Sequence, residues 1–229
     1  MESVLAQNYC STVKERETIY IFLKVGFEEP LSVQTLKLWK ESFSPDFIQL
    51  LTDENHYLAD FFEEMKTKDL EALAIREKEA YLATFNVLNE TGRIPAPPWE
   101  SVYTTNDQSM FGDSVYQIRR QLEGFGLEFI NKNSEPEDHI AIELEFMMYL
   151  NRYTLTALQD ENEGNYAKGI YTQYWLHKDH FHRWIHSFTK NIVSANTTSF
   201  YKGIAQLLRS FVDEDYEYIK SIKEGLDNE

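Results

Sequence analysis

Three of the chain's six prolines, Pro95, Pro97 and Pro98, fall within four residues near its middle. Proline fixes φ and removes an N–H donor, and the residue before it is pushed toward extended backbone. No regular helix runs through the stretch R-I-P-A-P-P-W-E-S-V-Y-T-T-N-D that contains them. It reads as a rigid, extended connector, a hinge at 91–112 between an N-terminal half, 1–90, and a C-terminal half, 113–229. A hinge between two helical halves is also where chains exchange elements, so a monomer or a domain-swapped homodimer is expected.

On either side of the connector the apolar residues recur at helical spacing, and no alternating run is flanked by hairpin turns. The expected fold is all-α, a single helical-bundle domain of roughly ten helices. Val4 to Val25 reads as the first helix, with Ile19, Phe22 and Leu23 in its apolar stripe and Gly26 ending it. Ser32 opens a second helix carrying Leu36 and Trp39, and Ser44-Pro45 supplies an N-cap and a proline at the first position of a third. Leu58, Phe61, Phe62 and Met65 mark the next segment, and Asp69 to Leu88 a longer one that stops at Asn89-Glu90-Thr91-Gly92. After the connector, Ser114 to Glu123 reads as a helix closed by Gly124 and Gly126. Further helices are expected over Ser134 to about Gln159, Tyr166 to Val193 and Thr198 to Val212, with a charged final one ending near Gly225. No internal repeat is visible.

A chain of 229 residues with 42% hydrophobic content is long enough for one substantial core. Its formal charge of −16 excludes a nucleic-acid binder, which needs clustered Lys and Arg, and favours a cationic partner. The acids are spread along the chain and most belong to solvated helix faces: Asp53 to Glu64 carries five with no Lys or Arg, and Asp213 to Glu229 carries seven against two Lys. Cys10 is the only cysteine, which excludes an intrachain disulfide and suits a reducing compartment. The N-terminus lacks the basic and apolar regions of a secretory signal, and no uninterrupted apolar run approaches about 18 residues. A cytoplasmic protein with no stable membrane insertion is expected.

The stretch Ser134 to Leu150, S-E-P-E-D-H-I-A-I-E-L-E-F-M-M-Y-L, carries the densest chemistry. Ser134 is placed to act as N-cap, Glu137 to complete a capping box, and Pro136 to sit in the first turn without loss. Asp138 and His139 then fall in the second turn, and His139 and Glu143, four apart, lie close enough to share a hydrogen bond. In its plainest reading this is a well-capped helix whose acids complement its dipole.

The residues E-P-E-D-H followed by E-L-E-F-M resemble the signature of the TorD/DmsD family of redox-enzyme maturation chaperones. W-E-S-V-Y at Trp99 to Tyr103 resembles that family's hinge motif. The segment D-H-F-H-R-W-I-H-S-F resembles its later helix, in which a His and a Trp four apart, here His180 and Trp184, help build core and groove. One departure is Glu137, which adds charge at a varied position of the signature. The resemblance covers mainly Pro97 to Leu150 and, more weakly, His180 to Val212. It implies a cytoplasmic chaperone with no catalytic residues, no cofactor and no metal. Its expected partner is the twin-arginine leader and precursor of a molybdopterin-containing reductase catalytic subunit, held back from export until its cofactor is loaded.

Such a leader presents two guanidinium groups followed by an apolar segment. Glu135, Asp138 and Glu143 are candidates for bidentate guanidinium contacts, with Pro136 shaping the turn and His139 orienting Glu143 or meeting the peptide. Trp99, Val102, Tyr103 and Trp184 are candidates for an apolar groove, alongside His180. Trp99 stands out because packing does not obviously require it in a proline-rich connector.

Two alternatives have sequence support. One is an assembly scaffold for a non-exported molybdoenzyme, as in the related NarJ branch. The other is a metal-dependent helical enzyme using His177, His180, His182 and His186. On a regular helix His177 and His180 share one face and His182 and His186 lie roughly opposite, so four ligands do not converge from this segment alone. No Glu stands three residues before a His, which excludes the di-iron bundle pattern. Phosphate loops, nucleophile elbows and dinucleotide fingerprints are absent as well.

Overall fold

The computed structural model describes residues 2–108, 110–128 and 135–228, and among these the chain is all-α. Eleven α-helices follow in order: α1 (Glu2–Glu28), α2 (Val33–Ser42), α3 (Pro45–Thr52), α4 (His56–Thr67), α5 (Leu70–Tyr81), α6 (Glu100–Thr104), α7 (Asp113–Gly124), α8 (Ile140–Gln159), α9 (Glu163–Leu176), α10 (His182–Ser194) and α11 (Ser199–Asp227). Two π-type turns, Leu82–Asn86 after α5 and His177–Phe181 between α9 and α10, complete the order. No helix among the described residues is long and apolar enough to cross a membrane.

The starts of the helices follow local chemistry. Ser32, Ser44, Asn55 and Asp69 each accept a hydrogen bond from the backbone N–H three residues on, so α2 to α5 begin where their cap residues place them. Pro45 occupies the first position of α3, where its missing N–H has no partner to lose.

Two compact units interleave along the sequence: Met1–Lys24 with Trp99–Trp184 and Phe211–Glu229, and Val25–Pro98 with Ile185–Ser210. They are not the expected halves 1–90 and 113–229. The proline-rich connector supplies only one division point, between Pro98 and Trp99, and the others fall inside α1, α10 and α11.

The second unit is held by aromatic packing: Phe27 meets Phe85 and Phe188 with ring centroids 6.0 and 5.5 Å apart, and Phe61 meets Phe200 at 4.7 Å. Gly26 was expected to end the first helix but lies within α1. A Cβ there would stand 2.9 Å from Ile204 Cδ1 and 3.2 Å from Phe200, so glycine serves close helix approach rather than termination.

The first unit is built around α8, whose Ile140, Leu144, Phe146, Met147 and Leu150 are buried as expected for a central helix. Across it runs a polar network that periodicity does not announce. Arg16 of α1 donates from Nε and Nη2 to the carboxylate of Asp215 in α11, and from Nη2 to Gln173 Oε1 at 2.9 Å. Asp215 Oδ2 also accepts from Tyr20 and, at 2.8 Å, from His177.

The break expected after Val212 is absent, and α11 is continuous from Ser199 to Asp227. Phe211, Asp215 and Ile219 keep one face buried at helical spacing through the acidic stretch, while Glu214 and Glu217 point to solvent. The single helix expected over 166–193 is divided by its π-type turn.

Candidate functional site

The helix expected to begin around Ser134 begins instead at Ile140. Ser134 lies outside the described residues, and Glu135 to Asp138 form turns ahead of the helix. His139 is the N-cap: its φ and ψ of −70° and 138° are extended, and its Nδ1 accepts from the N–H of Ala141 at 3.1 Å. With its ring turned back over the helix start, it makes this bond in place of the expected one to the Glu143 carboxylate. His139 and Glu143 are joined through backbone, N–H to carbonyl, at 3.1 Å.

This turn clasps the connector. Trp99 and His139 form an isolated antiparallel bridge, and the N–H of Glu100 donates to the Asp138 carbonyl at 3.0 Å. The indole Nε1–H of Trp99 donates to Glu135, and its ring meets His139 edge-on at 5.8 Å. Trp99 is therefore packed, 8% exposed, contrary to the reading that packing does not require it. Asp138 is fully buried, and its Oδ2 accepts at 2.8 Å from the Ser101 N–H and at 2.8 Å from the Ser114 hydroxyl. One carboxylate thus caps the five-residue α6 and ties it to the first turn of α7. Gly112 allows that approach, since a Cβ there would stand 2.8 Å from Thr105 Cγ2.

All ten expected site residues come together in one unit, but most face inward. Pro136, Asp138, His139, Glu143, His180 and Trp184 are buried, and Val102, Tyr103 and Glu135 are half-buried. Tyr103 packs on Trp184 at 5.5 Å, and Trp184 Nε1–H donates to Glu143 Oε2 at 3.3 Å. Asp138 and Glu143 therefore present no carboxylate to solvent here, which corrects the expectation of direct guanidinium contacts from these two acids. Glu135 is the member of the expected acid set that keeps an open side.

Burial sets the electrostatics. It pushes the carboxyl groups of Glu135 and Asp138 above their usual range. Glu143 is raised well above its ordinary value, by burial first and then by the nearby charges of Glu100 and Asp138. Burial also holds the His139 imidazole down at about 4, so at neutral pH it is uncharged and free to accept from Ala141.

A histidine lowered on folding resists protonation that the unfolded chain accepts, so stability falls as pH drops from 6.5 toward about 4. Between neutral pH and about 4.5 this contributes a loss of roughly 2–3 kcal/mol. His139→Asn keeps a capping acceptor without a titrating ring, and its urea midpoint is expected to fall less steeply over that interval. An identical pH dependence in wild type and variant would reject the assignment.

Several contributors escaped sequence reasoning. Glu137, expected to complete a capping box, lies ahead of the helix instead; it is buried and accepts a bidentate pair from Arg119, Nε at 2.6 Å and Nη2 at 2.8 Å. A cleft of about 320 Å³ opens there, lined by Arg119, Leu122, Glu123, Leu127, Glu128 and Glu137. Phe111, just before α7, and Tyr116, in its first turn, are 70% and 60% exposed. Aromatics outside a helical apolar stripe give no signal of their exposure in the sequence. The histidines disperse: His177 meets Asp215, His180 meets Glu100, and His182 reaches the His177 carbonyl and Asp213.

A family model described as nitrate reductase delta subunit matches residues 47–190, more than half of the chain. The chain belongs to the nitrate reductase delta subunit family. A member named chaperone protein TorD, from Vibrio cholerae, is 24% identical over 204 residues, 88% of this chain and 90% of the relative. A Salmonella typhi protein named Tat proofreading chaperone DmsD is 39% identical over 46 residues, 20% of this chain and 22% of its own. A solved Archaeoglobus fulgidus protein, described as a candidate redox enzyme maturation protein, covers 86% of this chain and 93% of its own at 22% identity, with a TM-score of 0.49. The resemblance carried by E-P-E-D-H and W-E-S-V-Y holds. These nitrate reductase delta subunit relatives are named for chaperone work rather than for a reaction, in keeping with the expected absence of enzymatic activity.

Proposed function

We propose that this member of the nitrate reductase delta subunit family is a maturation chaperone. It binds the twin-arginine leader and precursor of a molybdopterin-containing reductase catalytic subunit and assists cofactor loading before export, acting in the cytoplasm. The observation that carries the reading is the clasp between Trp99 and Glu135, which holds the connector against the E-P-E-D-H turn. It holds the half-buried Glu135 carboxylate on the residue that leads into α6, where Val102 and Tyr103 are half-buried too, and the acids of the Glu137 cleft are nearby in the chain.

The roles of the site residues differ with their burial. Glu135 meets a guanidinium directly, and Val102 and Tyr103 receive the apolar part of the leader. Asp138, His139, Pro136, Glu143, His180 and Trp184 act from behind, fixing the turn and the connector in register. The charge of −16 draws a basic peptide from a distance, so association slows as salt is added.

Calorimetric titration with a twin-arginine leader peptide tests this. Changing its Arg-Arg to Lys-Lys is expected to weaken binding by about tenfold or more, since lysine replaces a bidentate fork with a point charge. Glu135→Gln is expected to remove most of that discrimination while leaving the fold intact. A leader bound equally well with either pair would favour the second reading, a scaffold for a non-exported client, which the description of the matched family model supports. No binding of any leader would sink the first.

A further inference from the structure

Behind the connector, Glu100 of α6, Glu143 of α8 and His180 of the π-type turn are all fully buried. Each offers a ligand atom within 4.8 Å of the other two. His180 Nδ1 stands 2.5 Å from Glu100 Oε2. Among the described residues Glu100 Oε1, Glu143 Oε1 and His180 Nε2 have no partner from another side chain or the backbone, except that the Glu100 and Glu143 carboxyls are within hydrogen-bonding reach of each other. Arg183 places a guanidinium nitrogen 3.9 Å from Glu100 Oε1, but its side chain is 49% exposed and makes no hydrogen bond to that oxygen. Trp184 supplies one neutral donor, to the other oxygen of Glu143.

Two buried carboxyl groups this close cannot both stay charged without a compensating positive charge. A proton between two of them satisfies one edge of the triangle. A divalent cation takes one oxygen from each carboxyl and one imidazole nitrogen, and its charge offsets both carboxylates at once. The donor set of two oxygens and one nitrogen suits a first-row ion, zinc above all, and three ligands from three separate elements match the count of a protein zinc site that keeps a further position. The π-type turn is the local device that presents His180: the His182 N–H bonds to the His177 carbonyl, widening the turn that carries it.

We infer that Glu100, Glu143 and His180 form a buried site for a divalent first-row metal ion, zinc in the first instance, tying α6 and α8 to the π-type turn. Glu143 and His180 also help seat the connector, but metal binding is read out directly and does not rest on leader recognition. It differs from the metal site suggested by the four-histidine segment, of which it uses only His180.

The test uses the full chain, stripped with chelator and dialysed, then reloaded with zinc and measured by elemental analysis after gel filtration. Wild type and the control Glu135→Gln are expected to retain one zinc per chain and to melt at higher temperature with it than without. Glu143→Gln and His180→Gln are expected to lose both the metal and the shift. Zinc held equally by both variants would mark surface binding and overturn the assignment. If a variant fails to fold, wild type loaded with cobalt(II) decides: visible absorption bands of an ion in a low-symmetry oxygen and nitrogen site support it, and the spectrum of the hydrated ion overturns it.

Discussion

Asp215→Ala is expected to destabilise the protein by about 3–5 kcal/mol, the range found when one partner of a buried ion pair is removed. Asp215 accepts from Arg16, Tyr20 and His177, and the side chains of Arg16 and Asp215 are 5% and 1% exposed. Removing the carboxylate leaves the Arg16 guanidinium buried without its counter-charge. Burial alone would raise the Asp215 carboxyl, but the positive charge of Arg16 and the bond from His177 outweigh it and hold the group well below the usual carboxylate range. A carboxylate depressed on folding contributes stability above its unfolded pKa and loses it as pH falls below about 3.9. His177 is itself held down by burial, so at neutral pH it is a neutral donor and the network carries one charge of each sign. Urea unfolding provides the check, and a double variant, Arg16→Met with Asp215→Leu, is expected to recover much of the loss. A wild-type midpoint in Asp215→Ala would show that the network adds nothing to folding.

Asp138→Ala is expected to cost about 2–4 kcal/mol, because two buried donors, the Ser101 N–H and the Ser114 hydroxyl, lose their acceptor and α6 loses its cap. Leader affinity falls as a consequence, since the connector no longer has a fixed seat. The structure thus gives this residue a place in the fold where a direct guanidinium contact was expected. Hydrogen exchange separates the two: a clamp predicts that the Ser101 amide loses protection in the variant, whereas a pure contact residue leaves it protected. Asp138→Asn retains one acceptor and is expected to fall between alanine and wild type.

The all-α class, the helix starts at Ser32, Ser44 and Asp69 and the break at Pro95 to Pro98 were legible because each rests on short-range chemistry that the local sequence contains. Gly26 misled because its role depends on Ile204 and Phe200, nearly 180 positions away. The acidic stretch after Val212 looked like an end because its charge is conspicuous, while the buried spacing of Phe211, Asp215 and Ile219 is not. The site residues were found as a set through three motifs, yet their exposure was misjudged. Charged residues are so often at the surface that buried Asp138 and Glu143 become intelligible only once Ser101, Ser114 and Trp184 are seen opposite them. Glu100 sat inside the W-E-S motif throughout, but nothing local reveals that His180, eighty positions on, is its partner.

The extra residue in the turn at His177–Phe181 fixes a phase relation. Each residue of a regular helix advances the side-chain direction by about 100°, so a one-residue deletion there would restore an unbroken spiral and swing His180 and Trp184 away from Glu100 and Glu143 together. Length in this segment is therefore constrained more tightly than composition: substitutions at exposed Lys178 are tolerable, whereas a shortened turn disconnects two aromatic anchors in a single step.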